Sequence, residues 1–210
     1  MSLTPKNKFH LNLSSVICAL SSVFILLACL SCNSPYTQKP RGYFKIDFPE
    51  KKYQAFNQAG YPYSFDYPAY AKVVRDSLFF DSTAPNPWWI NVDFPQFNAH
   101  IYLTYRVIGE KNDSLVKLIN DSYNLTNKHS VRADYIRDSI MATPNGIHGT
   151  FFKVEGNAAT ANQFFLTDST RHFLRGALYF DATPNQDSLR PVNEFLAQDI
   201  RHLINTFHWK

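Results

Sequence analysis

Residues 191–207 read PVNEFLAQDIRHLINTF, and the spacing inside this stretch decides the fold. Val192, Phe195, Leu196, Ile200, Leu203, Ile204 and Phe207 recur at steps of three and four. Asn193, Glu194, Gln198, Asp199, Arg201 and His202 take the positions between them. That is the period of an amphipathic α-helix, about five turns long. Pro191 is read at its N-terminal end, where a proline is tolerated because the first N–H groups have no partner in any case. An apolar stripe of this length needs a surface to cover.

The segments upstream supply one. HFLRGALYFDA (172–182), NQFFLTDS (162–169) and GIHGTFFKVEG (146–156) read as three strands. AHIYLTYRVI (99–108) and WWINVDFP (88–95) read as two more, and the short turn between them makes an antiparallel hairpin. YPYSFDYP (61–68) alternates between prolines, and Tyr43, Lys45 and Asp47 alternate with Phe44, Ile46 and Phe48 as a strand halted by Pro49. Residues 113–127 change period. Leu115, Ile119 and Tyr123 lie four apart with Val116 and Leu118 beside them, a helical stripe opened by an Asp113 or Ser114 cap. HSVRADYIRDSIMATP (129–144) fits either a continuation of that helix or a strand. Strands, helix, strands and a long helix make an α+β domain, an antiparallel sheet covered by helices. Two helices on different faces give three layers; on one face they give two.

The N-terminus reads differently. Lys6 and Lys8 precede a stretch from Phe9 to Gln38 whose only titratable base is His10. Its strongly apolar part, VICALSSVFILLACL (16–30), is shorter than the roughly 20 residues needed to cross a bilayer. This is the pattern of a signal peptide. It closes on Cys29 and Cys32, each preceded by a small residue, and so resembles a bacterial lipobox, in which the cysteine is lipidated and becomes the new N-terminus. Cys32 is expected to carry the lipid, with Cys29 as the alternative. Choosing Cys32 removes the other two cysteines with the leader and leaves no stray thiol in an oxidising compartment. Residues 1–31 are then the leader, 32–42 a lipidated polar tether, and 43–210 a single domain.

Composition narrows the chemistry. A chain of 210 residues, 45% apolar and 16% aromatic, buries one good core. Without Lys6 and Lys8, nineteen basic residues face seventeen acidic ones and the formal charge falls from +4 to +2. Nucleic-acid binding needs a concentrated basic face and is not expected. After Cys32 no cysteine follows, which removes disulfides, thiolate catalysis and cysteine metal sites from the mature domain.

One stretch invites a catalytic reading: TDSTRHFLRGALYF (167–180) holds Asp168, Ser169, Arg171 and His172 within five positions. A hydrolase would use Ser169 as nucleophile, His172 as base and Asp168 to orient it. Triads, however, are assembled from separate elements, and no Gly-x-Ser-x-Gly elbow occurs in the chain. A polar turn bonded to local backbone is the favoured reading. A metal site would need His100, His148 and His172 to converge across strands; scattered histidines are the simpler expectation, so no metal or cofactor is predicted. The aromatics point instead to a surface. Trp88 and Trp89 are consecutive, so one side chain faces out if they lie on a strand. Trp88, Trp89, Tyr61 and Tyr63, with Asp168, Arg171 and Arg175, are the candidates for touching a partner.

Several long segments carry a family resemblance: KPRGYFKIDFPEKKYQAF (39–56), YPYSFDYPAYAKV (61–73), WWINVDFPQF (88–97), KHSVRADYI (128–136), QFFLTDSTRHFLRGALYF (163–180) and the terminal TFHWK. Together they resemble the gliding-motility lipoprotein GldD family of Bacteroidetes. The resemblance implies an envelope-anchored accessory protein needed for gliding and for the linked type IX secretion system. Its implied partners are other envelope lipoproteins and membrane components of that machinery. It supplies no catalytic residue. No acidic cluster resembling a surface-export signal follows either cysteine, so the domain is expected to face the periplasm. The order of elements is also similar to PsbP/Mog1-like α/β/α sandwiches, an analogy of fold that carries no site. Two alternatives stand beside this reading: an envelope hydrolase built on Asp168, Ser169 and His172, and a small-ligand or metal-binding periplasmic lipoprotein.

Overall fold

The computed structural model describes residues 13–29, 45–75, 86–110 and 113–210. The chain divides into two compact units, Met1–Phe44 and Lys45–Lys210. The first contains helix α1 (Leu13–Cys29), 17 residues whose Ile17, Leu20 and Val23 are exposed. At about 1.5 Å per residue it falls short of the roughly 30 Å hydrocarbon core. Among the described residues no helix is long and apolar enough to cross a membrane.

The second unit carries the strands β1 (Tyr53–Phe56), β2 (Tyr63–Pro68), β3 (Lys72–Arg75), β4 (Ile90–Phe94) and β5 (Ala99–Val107). Helix α2 (Leu115–Asn127) follows, then β6 (Ala133–Ala142), β7 (His148–Gly156), β8 (Asn162–Thr167), β9 (His172–Phe180), helix α3 (Gln186–Asn205) and β10 (His208–Trp209). A seven-stranded antiparallel sheet runs β3-β4-β5-β9-β8-β7-β6, and a smaller sheet runs β1-β2-β10. The expected hairpin is there: Ile90 faces Leu103 and Phe94 faces Ala99 across β4 and β5. Of the two readings for residues 129–144, the strand holds. A single 3-10 turn at Lys128–Val131 ends the helical run, and β6 pairs with β7.

Alternation along the central strands assigns two faces. On β9, Leu174 and Leu178 join a core with Ile101, Leu103, Phe164 and the α3 residues Leu196, Ile200, Leu203 and Ile204. Phe173 points the other way and packs with Phe152, Phe165 and Leu118 of α2. The two helices therefore cover different faces and the fold has three layers, with the small sheet sharing the α3 side. Strand β8 is buried along its whole length, its polar Asn162, Gln163 and Thr167 included. Both helices open on side-chain caps. Ser114 accepts from the Lys117 N–H at 3.3 Å, and Asn185 accepts from the Ser188 N–H at 3.1 Å. Burial of each large α3 side chain is worth about 1.5–3 kcal/mol.

Four local expectations are corrected. Residues 45–48 are not a strand; Tyr43 and Phe44 lie outside the described residues. The outer side of β2 is taken by β1, and Phe48 instead stacks on Phe195 of α3 at 4.4 Å between ring centroids. Pro191 lies inside α3, one turn past its start at Gln186, because Asn185 caps the helix earlier than the apolar stripe begins. Asp199 is not on the polar side of α3 but is 1% exposed. It stands three residues from Leu196 and four from Leu203, and so belongs to the buried stripe. Val116, read beside the α2 stripe, faces solvent at 68% exposure.

Candidate functional site

Most of the sequence-nominated residues meet at one end of the domain, around Tyr105. This tyrosine sits near the end of β5 and is fully buried. Its hydroxyl lies 2.6 Å from Nδ1 of His172, at the start of β9. The His172 ring stacks on Trp209 of β10 at 5.1 Å. Trp88 meets Tyr105 edge-on at 5.5 Å, and the Trp89 indole donates to the Tyr105 carbonyl at 2.8 Å. The Tyr63 hydroxyl donates to the Trp88 carbonyl at 2.5 Å, and the Trp88 indole donates to the Gly60 carbonyl at 2.8 Å.

This geometry corrects two of the partner candidates. Trp89 is 5% exposed and Tyr63 0%, so neither presents a surface. The reason is packing: Tyr63 is clasped by Phe56, Phe65 and Phe207, and Arg106 covers the Trp89 ring at 5.2 Å. Trp88 and Tyr61 are half-buried and line a cleft of about 480 Å³ with Tyr67 and Arg75. Arg171 is exposed at the same end, and Asp168 is half-buried beside it. Arg175 is not part of this cluster. It lies on the α2 face, where it donates to the Gln163 side-chain oxygen, which also accepts from Thr126 at 3.3 Å.

The turn before β9 behaves as a polar turn. One oxygen of Asp168 accepts from the backbone N–H groups of Thr170, Arg171 and His172 at 3.0, 2.9 and 2.8 Å. Thr167 donates to the His172 carbonyl at 2.8 Å, and Ser169 takes a left-handed φ of 65° with its own N–H bonded to Thr167. Burial alone would raise the Asp168 carboxyl, but the three backbone donors outweigh it and hold it below the ordinary carboxylate range. Burial pushes His172 below its ordinary value; the Asp168 charge opposes the shift and Arg171 adds to it. Burial also pushes the Tyr105 phenol up to about 12, with Arg171 opposing and Asp168 and Glu110 reinforcing. The chemistry such a turn performs is structural: the carboxylate holds backbone, and the imidazole is held between a phenol and an indole.

The three histidines of the metal alternative stand apart. His100 is opposite Tyr179 and His172 opposite Val107, at the two ends of the β5–β9 ladder, and His148 is exposed on β7. Among the described residues no group of three or more His, Cys, Asp or Glu side chains could hold a metal ion. Cys29 closes α1, and Cys32 lies outside the described residues.

Sequence reasoning missed a second polar cluster, under α3. The Asp199 side chain is 0% exposed and receives Lys51 Nζ at 2.7 Å, the Tyr53 hydroxyl at 2.9 Å and the Tyr70 hydroxyl. Lys51 also donates to the Phe195 carbonyl at 2.8 Å, and Tyr53 stacks on His202 at 3.5 Å. Burial first, and the Asp199 hydrogen bond and charge next, push the Tyr53 phenol up to about 12 and raise Tyr70 as well. The signal was the position of Asp199 within an otherwise apolar stripe. A groove of about 470 Å³ between α3 and β7, lined by Lys153, Glu155, Arg190, Glu194 and Arg201, completes the surface features.

Fold and site together define a class: a three-layer α+β sandwich whose most reactive-looking side chains are engaged in its own packing. The chain belongs to the gliding motility lipoprotein GldD family, whose family model matches residues 33–209. Membership makes it a lipoprotein of the gliding apparatus, anchored at the cell envelope. Among solved structures it is similar to cyanobacterial PsbP (CyanoP) from Synechocystis sp. PCC 6803. The two are 14% identical with a TM-score of 0.42, over 84% of this chain and 100% of that one. A comparison with curated proteins found no match.

Proposed function

We propose that this protein is a non-catalytic binding component of the gliding machinery, lipidated at Cys32, with its domain in the periplasm and with a further role in the linked type IX secretion system. The proposed organisation is a leader over 1–31, a tether over 32–42 and one domain from 43 onward. The observation that carries the non-catalytic reading is the fate of Asp168 and His172. The first is spent on three backbone N–H groups and the second is held by Tyr105 and Trp209. A triad needs its base free to reach the nucleophile and its acid free to orient the base. The partners are other envelope proteins of the same machinery.

The test is complementation of a deletion strain at matched protein level. A Ser169→Ala, His172→Ala double variant is expected to restore both colony spreading and adhesin secretion. Failure of a stably folded double variant would return the hydrolase reading. Normal adhesin secretion in the deletion strain itself would remove the secretion role.

A further inference from the structure

Strand β6 is the outermost strand of the seven-stranded sheet, ten residues long and paired only with β7 among the described residues. Such an edge offers a row of unpaired N–H and C=O groups to any extended chain, and proteins ordinarily shorten, cover or twist it away. This one carries a bulge at its start and the charges of Asp134, Arg137 and Asp138, but past the bulge it runs eight residues and exposes large apolar side chains. Ile140 is 89% exposed, Tyr135 43%, and Val131 just before the strand 85%. On the α2 side β6 shows Ile136, Asp138 and Ile140, and the Tyr123 hydroxyl donates to Asp138 at 3.0 Å. On the other side it shows Tyr135, Arg137 and Met141.

The charges say what completes the edge. Arg137 lies directly opposite Lys153 of β7, a like-charge pair of the kind that destabilises a ladder. Glu155 pairs with Lys153 at 2.9 Å and also feels the Arg137 charge, while Arg137 leans on the Tyr135 ring and hydroxyl, so one carboxylate serves two cations on this face. A carboxylate on the next strand out would neutralise Arg137. A second copy of this chain does not provide it. Directly opposed residues in an antiparallel ladder are of the same hydrogen-bonding kind, so a two-fold pairing of β6 with itself centres on one residue facing its own copy. A bulge between Ala133 and Tyr135 interrupts the strand, and along the regular stretch 135–142 the two registers that pair seven residues of each strand centre on Asp138 or on Ser139; they set Arg137 opposite Ser139 or Met141, never opposite a carboxylate.

We infer that the free edge of β6 receives an extended segment of a different protein, which adds an eighth strand with apolar side chains against Ile136 and Ile140 and a carboxylate beside Arg137. This deepens the binding reading proposed above and rests on it. Main-chain hydrogen bonds supply the adhesion in such strand addition, and alternate side chains supply the selection.

The experiment uses the full-length lipoprotein in its host membrane, with a photoreactive benzoylphenylalanine at position 140 or, as control, at the exposed position 198 on α3. Adducts are mapped by mass spectrometry. The expected adduct at 140, not at 198, joins a peptide of another protein with alternating apolar residues and an Asp or Glu. Arg137→Glu is expected to lower its yield about tenfold and Arg137→Lys to keep most of it. Ser139→Pro and Ile140→Pro provide the backbone control in untagged complementation. Neighbouring N–H groups point to opposite sides, so one of the two removes only an edge donor and abolishes spreading with the fold intact. An adduct to a second copy of this chain, no adduct specific to 140, or a yield indifferent to Arg137→Glu overturns the inference. None of those outcomes bears on the non-catalytic reading, which falls only with the Ser169→Ala, His172→Ala complementation.

Discussion

Asp199 is the residue on which the joint between the start of the domain and its last helix turns. Its carboxylate is out of water and is held by one ammonium and two phenols, all from residues 51–70. Removing one side of a buried ion pair leaves the other uncompensated. Asp199→Ala is therefore expected to cost roughly 3 kcal/mol, read as a lowered midpoint in urea unfolding followed by circular dichroism. A cost below about 1 kcal/mol would place the pair in the weak class of surface bridges. Two phenols, Tyr53 of this cluster and Tyr105 beside His172, set an alkaline limit. Tyr53 and Tyr105 are pushed from 10.0 up to about 12, so the unfolded chain loses these protons first. Their contribution to stability is complete below pH 10 and is lost as pH rises through about 12. The difference in tyrosinate absorbance between wild type and Tyr53→Phe checks this; a difference signal rising at the ordinary phenol pKa would contradict it. On the acid side His172 has its value lowered by burial, so its share is present above 6.5 and declines as pH falls below it. These effects were hidden in the sequence because an aspartate on a helix reads as polar until its register against the apolar positions is counted.

At the scale of elements, α3 was legible because six of its apolar residues, Val192 to Ile204, recur at helical spacing, and the structure buries Ile200 at 0% and Leu203 at 2%. Ile200→Asp or Leu203→Asp sets an unpaired charge in that layer, at a cost of several kcal/mol. Wild-type thermal stability in either variant would refute the docking of the helix on the sheet. Pro191 was misplaced because the apolar stripe starts after the helix does. A proline inside a helix removes the hydrogen bond to the carbonyl four residues back, here Asp187. Pro191→Ala is expected to raise stability by about 1 kcal/mol or more, measured by the same urea titration. The strand read at 43–48 is absent from its described part, residues 45–48, for a different reason. Alternation marks a chain able to pair, but pairing needs a vacant neighbour, and β1 already occupies that side of β2. Gly176 shows how tight the central strands are: a methyl there would enter the ring of Phe164, so no side chain fits at this position of β9.

For the whole molecule, the three-layer arrangement depended on which face each helix takes, and local periodicity is silent on that. It is decided by register, since Phe173 and Leu174 are neighbours in sequence and belong to different cores. The candidate site was legible in its members but not in its meaning. The Trp-Trp pair, the Tyr-rich segment and the turn before β9 do converge, yet on a buried tyrosine that nothing in the sequence singled out. The proposed anchor makes a prediction at this scale. Metabolic labelling with a fatty acid is expected to fail for Cys32→Ser and persist for Cys29→Ser; the opposite pattern would move the anchor to Cys29.

The chain's three tryptophans all belong to the end built around Tyr105 and His172. The α2 face is packed by Phe152, Phe165 and Phe173, which emit almost nothing in comparison. Intrinsic fluorescence of this protein is therefore a report from one end. Agreement of the emission melt with the circular-dichroism melt would mean that the layers come apart together, whereas an earlier emission change would mark the turn of Asp168 and the last two strand residues as the place where unfolding starts.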